Sequence, residues 1–292
     1  NESKADDEND YEYSNEEDNK EYDPDDAYDP YDYQSYCTDS DITPTNTVKY
    51  FIREVENLYR VQFKGFPFLR FYGYYLDDQE SFILTKPMKG TLGDLISQKF
   101  NEIQNFNTIK MKIFYGVAFA LKILHSKGII HRDIKPENIF LNDENEPFLG
   151  DFGFARLIQE STKLTEDVGT SYYMARELLL KDDVEPSDKV DSYSFGITLL
   201  ETLTLNLTMQ DNNVMKMKNL SDNDPNFLDG KTVKCLIENG KKYEIPNDVP
   251  SNYKNLIEKC WSDDANERPS MNQIVKMMEN KKLDLFDYDQ DD

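Results

Sequence analysis

The chain has 292 residues, 38% of them hydrophobic and 13% aromatic, and a net charge of −24. That length and apolar content suffice for the core of one large or two-lobed domain. The charge argues against nucleic acid and anionic membrane surfaces as partners, and leaves basic partners or substrates open.

Cys37, Cys235 and Cys260 form no paired short spacing. They fit a reducing, intracellular, cytoplasmic setting better than a disulfide framework. With only His125 and His131 present, a Cys/His zinc site is disfavoured. No apolar run approaches the roughly 20 residues of a membrane-spanning helix, and no apolar signal segment opens the chain. The first residue is Asn, so the sequence reads as a fragment or a processed form.

The charge divides unevenly. Residues 1–41 hold 17 Asp and Glu against two Lys, a balance of −15, which leaves −9 for the other 251 residues. Through residue 41 alanine is the only aliphatic side chain, and 1–43 reads as an acidic, tyrosine-rich, disordered segment. Its recurrent YDP and YDY form a degenerate repeat. A calcium loop is disfavoured because no Gly stands at its sixth position and no Glu at its twelfth. Phosphorylation of its tyrosines, or docking of a basic partner, is the alternative to a solvated tail.

Folded sequence is expected over 44–282, with an acidic tail at 283–292. Asn46 or Thr47 can cap a helix whose apolar face carries Val48, Phe51, Ile52, Val55, Leu58 and Tyr59, with Glu54 beside it. FLRFYGYY and SFILTKPM then read as two strands about the turn LDDQE. A long helix follows, with Ile113, Val117, Leu121 and Leu124 on one face and Gly128 as its stop. Further helices are predicted in 188–204, 251–261 and 270–280. The fold class is α+β, with the sheet early and the helices late.

Between two apolar stretches lies HRDIKPEN, residues 131–138, and thirteen residues after Asn138 comes DFG, 151–153. The intervening IFLNDENEPFLG reads as a strand pair about an acidic turn. Such a hairpin brings Asn138 and Asp151 to neighbouring strand ends. An amide oxygen beside a carboxylate suits Mg²⁺, which takes hard oxygen ligands. Asp133 can accept a proton from an incoming hydroxyl, and Lys135 can set positive charge on a transferring phosphoryl group. Together these are the parts of phosphoryl transfer, which depends on positioning and electrostatic stabilisation.

These motifs resemble the eukaryotic protein kinase family. HRDIKPEN looks like its catalytic loop and DFG like its magnesium loop. GTSYYMARE (169–177) resembles the end of its activation segment. DSYSFGITLLE (191–201) resembles the central helix of its large lobe, and CWSDDANERPS (260–270) its late arginine-bearing segment. They stand in family order over about residues 47–281, within a two-lobed fold whose small lobe is reduced to one helix and about two strands.

The resemblance implies Asp133 as catalytic base, Asn138 and Asp151 as Mg²⁺ ligands, and Lys135 as a contact of the transferring phosphate. It implies Glu54 as the partner of an ATP-holding lysine, and Thr85 and Met88 as residues facing adenine. Lys135 and Thr170 follow the serine/threonine pattern, and CW…RPS with DSYSFG looks most like the tyrosine-kinase-like branch. Glu177 and Arg268 are expected to form a buried ion pair. Asp191 should hold the catalytic-loop backbone, and His131 should be a packed core histidine. Arg132 is a candidate to receive a phosphate from the activation segment, where Ser161, Thr162 and Thr165 are candidate sites. The cofactors implied are ATP and Mg²⁺, and the substrates are proteins.

The sequence departs from the family at its front. No glycine occurs in residues 1–41, and no strand bearing a lysine precedes Glu54. Lys49 is predicted on the same helix as Glu54; Lys4 and Lys20 lie in acidic sequence. Lys86 and Pro87 in the hinge, and Arg176 in ARE, are further departures. Three readings therefore stand beside one another. In the first, the parent protein is an active serine/threonine kinase whose start this chain lacks, and the acidic stretch is an insert between the lysine strand and the helix. The second is a pseudokinase or scaffold with weak or no nucleotide turnover. The third is an acidic interaction protein that reuses the large lobe.

Overall fold

The computed structural model describes residues 46–62, 65–77, 80–97, 105–158, 171–180, 187–205, 242–283 and 285. They belong to a compact unit running from Pro44 to Asp292. The acidic segment, Cys37, Cys235, the candidate phosphorylation sites Ser161, Thr162 and Thr165, and the pattern residue Thr170 lie outside the described residues.

Helix α1, Asn46–Arg60, carries both Lys49 and Glu54. Of its predicted apolar face, Leu58 is buried and Phe51, Ile52 and Val55 are half-buried, but Tyr59 is exposed. The packed stripe is thus narrower than the apolar pattern. The helix end is fastened by Gln62, whose Nε2 donates to the carbonyls of Leu58 and Leu69 and whose Oε1 accepts from the Phe71 N–H. Strands β1 (Phe71–Leu76) and β2 (Ser81–Thr85) form an antiparallel pair where the strands were expected.

Strand β3 (Gly90–Thr91) leads into α2 (Leu92–Ser97), and α3 follows at Phe106–Ser126. Ile113, Val117, Leu121 and Leu124 are all buried on α3. Gly128 has φ +70, a backbone state that a side chain disfavours, so it reverses the chain as predicted. Strands β5 (Ile139–Leu141) and β6 (Pro147–Leu149) form the expected hairpin, and β3 pairs on the other side of β5. A third small sheet pairs β4 (Ile129–Ile130) with β7 (Arg156–Leu157). The early-sheet, late-helix order therefore needs amending, because these short strands sit mid-chain. Two-residue strands are too short to show a period of two.

After α4 (Arg176–Leu180), α5 (Lys189–Thr204) runs through the core with every residue from Val190 to Thr202 buried. Its buried hydroxyls are not orphaned. Ser194, Thr198 and Thr202 each donate back to the carbonyl four residues earlier, which meets their polar demand inside the helix. Helices α6 (Ser251–Cys260) and α7 (Met271–Glu279) pack against α5 and α3 respectively. Ser270 and Gln273 form a capping box at the start of α7. Cys260 is free and fully buried, and burial pushes its thiol up to about 12, so it behaves as a small apolar side chain. Among the described residues no helix is long and apolar enough to cross a membrane.

Candidate active site

The loop between β4 and β5 is anchored from below by Asp191, near the start of α5. Its carboxylate accepts the His131 N–H at 2.9 Å, the Arg132 N–H at 2.8 Å and His125 Nε2 at 2.8 Å. Burial alone would raise the carboxyl of Asp191. The hydrogen bond and charge of His125, with the His131 N–H, outweigh it and hold the group below its ordinary value. A fully buried carboxylate thus turns two peptide N–H groups of the loop inward. Arg132 takes the left-handed backbone at φ +72 and is itself buried.

His131 is wholly buried, as expected of a core residue. Its Nδ1 lies 3.4 Å from the Asp133 N–H and accepts from it, so Nε2 carries the proton donated to Gly150 O at 3.0 Å. The imidazole ring lies 5.0 Å from Phe152, which in turn meets Phe68 edge-on at 6.1 Å. A buried stack therefore ties the 131–138 loop to the 151–153 turn and to the chain leading into β1.

Asp133 is only 2% exposed. Its Oδ2 accepts from Asn138 Nδ2 at 2.8 Å and lies 2.7 Å from Lys135 Nζ. Asn138 Nδ2 also donates to the Asp133 carbonyl at 2.8 Å. Both contacts engage the amide nitrogen, so Oδ1 of Asn138 is the atom left to face a cation. The β5–β6 hairpin then brings Asp151 alongside: the Gly150 N–H donates to the Asn138 carbonyl at 3.1 Å. Asp151 is held at φ +55, an uncommon state for a residue other than glycine and one that marks functional turns. An amide oxygen and a carboxylate at adjoining strand ends are hard donors that fit Mg²⁺.

Glu54 approaches the same turn from α1. A side chain at Gly153 would meet Asp151 Oδ1 at 3.5 Å and Glu54 Oε2 at 3.8 Å. Among the described residues no Lys or Arg pairs with Glu54. Burial first, and the Asp151 charge second, push its carboxyl up to about 7. Lys49 shares its helix, as expected, and is no lysine of a separate strand. Thr85 ends β2 and is half-buried, as is Met88 just after it.

Asn57 escaped the sequence reading. One turn from Glu54 on α1, it is 4% exposed and its Nδ2 donates to the carbonyls of both Phe152 and Ala155 at 3.0 Å. It clamps the helix to the DFG turn. The signal was available: an amide set among the apolar positions of an amphipathic helix must find a partner when buried.

Glu177 and Arg268 form the expected ion pair, with both guanidinium branches engaged at 2.6 and 2.7 Å. Arg268 is 1% exposed, also donates to the carbonyls of Ser262 and Lys189, and lies 5.1 Å over Tyr193.

A family model described as protein kinase domain matches residues 37–278. The chain belongs to the protein kinase family. A probable LIM domain-containing serine/threonine-protein kinase of Dictyostelium discoideum is 30% identical over 229 residues, 78% of this chain and 32% of that protein. A dual specificity protein kinase of the same organism is 34% identical over 173 residues, 58% of this chain and 22% of that protein. A further probable serine/threonine-protein kinase from it is 29% identical over 199 residues, 68% of this chain and 13% of that protein. The chain thus spans about a third or less of the length of these relatives.

Proposed function

We propose that this kinase domain transfers the γ-phosphate of ATP to serine and threonine hydroxyls of protein substrates. The observation that carries this reading is the buried Asp133 carboxylate, held by Asn138 and Lys135 within one loop. Asp133 is the base that accepts the hydroxyl proton. Lys135 is drawn from Asp133 toward the phosphoryl oxygens as negative charge gathers there. Asn138 orients Asp133 with its nitrogen and turns its oxygen outward. Asn138 Oδ1 and Asp151 would hold Mg²⁺, whose charge would offset that of the phosphates. Glu54, Thr85 and Met88 line the nucleotide side, with Thr85 and Met88 toward adenine. Arg132 is the candidate receiver of an activating phosphate on Ser161, Thr162 or Thr165. Glu177, Asp191 and Arg268 support the loop without touching substrate. The overall acidity of the chain favours basic protein substrates.

The test is transfer of radiolabelled phosphate from ATP to a generic basic protein, comparing the chain with Asp133→Asn. Loss of a positioned base is expected to lower the rate by about 10²–10⁴. Transfer undiminished in Asp133→Asn would remove the assignment of the base. One observation favours a second reading, a scaffold with weak turnover: Glu54 lacks a cation among the described residues. On that reading the unaltered chain transfers no phosphate above the level of Asp133→Asn.

A further inference from the structure

A groove of about 760 Å³ is lined by none of the residues proposed above to act on ATP or on the transferring phosphate, although Lys86 on its rim stands between Thr85 and Met88 in the chain. Its floor is the side of α3 bearing Gly116 and the Pro147–Phe148 stretch of β6. The two elements touch closely: a Cβ on Gly116 would lie 2.4 Å from the Pro147 ring, so only glycine permits this approach. The floor is therefore rigid and the groove preformed, which lowers the ordering cost of binding.

The walls are aromatic. Phe66 and Phe119 stack at 6.3 Å, and Tyr115 continues the stack on Phe119 at 6.0 Å. Tyr72 projects from β1 with 63% of its surface exposed. The rim is basic in a strongly acidic chain. Lys112 is matched by Glu146 at 3.6 Å. Arg70 and Lys86 are exposed and have no ion-pair partner among the described residues; the Lys86 ammonium lies 5.8 Å over the Phe148 ring. With 57 acidic against 33 basic residues overall, two unmatched cations on one aromatic groove are a local reversal of sign.

We propose that this groove docks an acidic peptide segment of a partner protein, anchored by one bulky apolar or aromatic side chain. The anchor fills the aromatic trough, and flanking Asp or Glu side chains meet Arg70 and Lys86. Arginine and aromatic side chains carry a disproportionate share of peptide-binding energy, which suits this composition. The experiment reads binding and not phosphate transfer, so the proposal stands or falls apart from the catalytic assignment.

The probe is a library of displayed random 12-residue peptides, selected on the immobilised chain at physiological salt. Enriched peptides are then synthesised and titrated by fluorescence anisotropy. Enrichment of acidic peptides with an aromatic or bulky aliphatic residue is expected. Their affinity should fall about tenfold or more in Arg70→Glu and in Tyr72→Ser, and should be unchanged in Lys259→Glu, an exposed charge on α6. Both groove positions are exposed, so the variants should fold; matching thermal unfolding midpoints check that. Overturning results are no enrichment, enrichment without acidic preference, or binding indifferent to Arg70→Glu and Tyr72→Ser.

Discussion

Replacing Glu54 by glutamine reads out whether the helix carboxylate has a cation. In the unfolded chain the group releases its proton near its ordinary 4.5; in the fold it holds it until about 7. Across that window the native state binds more protons than the unfolded state. The stabilisation is therefore fully present below 4.5 and is lost as pH rises through about 7. At about 1.4 kcal/mol per pH unit, the window bounds the effect at about 3.5 kcal/mol. Part of the side chain faces water, and screening there reduces the expected effect to about 1–2 kcal/mol. The assay is urea unfolding of the chain and of Glu54→Gln at a series of pH values from about 5 to 7.5. Taking the difference between the two proteins cancels the many other carboxylates. The wild-type chain should lose about 1–2 kcal/mol against the variant as pH rises through the window. A flat difference, or one of opposite sign, refutes the reasoning and means that a cation pairs with Glu54 in solution.

Three other outcomes are expected. Glu177→Ala leaves the Arg268 guanidinium buried with only carbonyls and Tyr193 for company; stability should fall by about 3–5 kcal/mol in urea unfolding, and replacing both partners by apolar residues should recover much of it. Gly196→Ala sets a methyl 2.6 Å from the Cys260 side chain, where α5 and α6 meet, and should cost about 1–3 kcal/mol, read as a lowered melting temperature. Asp191→Asn removes the charge that holds two loop N–H groups. Faster amide exchange at His131 and Arg132 is expected, with phosphate transfer down about tenfold or more at unchanged Asp133. Because the Asp191 carboxyl is held below its ordinary value, its stabilisation is present at neutral pH and fades only as pH falls through that lowered value.

Helix periodicity made α1, α3, α5, α6 and α7 legible, and alternation with turn residues made the β1–β2 and β5–β6 pairs legible. These are local signals: each side chain's place relative to its own element follows from a period of 3.6 or 2. The loop from His131 to Asn138 and the DFG turn were legible because their residue types and spacing serve one chemistry. Periodicity did not reveal β4 and β7, since two residues make no period. It also overstated the buried face of α1, because apolar spacing says which residues can be buried and not how far a neighbour covers them.

Other features required the tertiary fold. Asn57 reaches carbonyls 95 and 98 residues away, and His125 meets Asp191 across 66 residues; no local pattern specifies such partners. Whether Glu54 meets a cation depends on what packs against α1, and its raised carboxyl follows from burial beside Asp151. The basic aromatic groove is assembled from α1's end, β1, α3 and β6, none of which carries it alone. Composition and spacing thus marked the longer helices, the two hairpins and the chemistry that the central loop can support, but not the short strands or the short helices. The partners of each buried charge were settled by packing, because desolvation and Coulomb interaction depend on distance in space and not on separation along the chain.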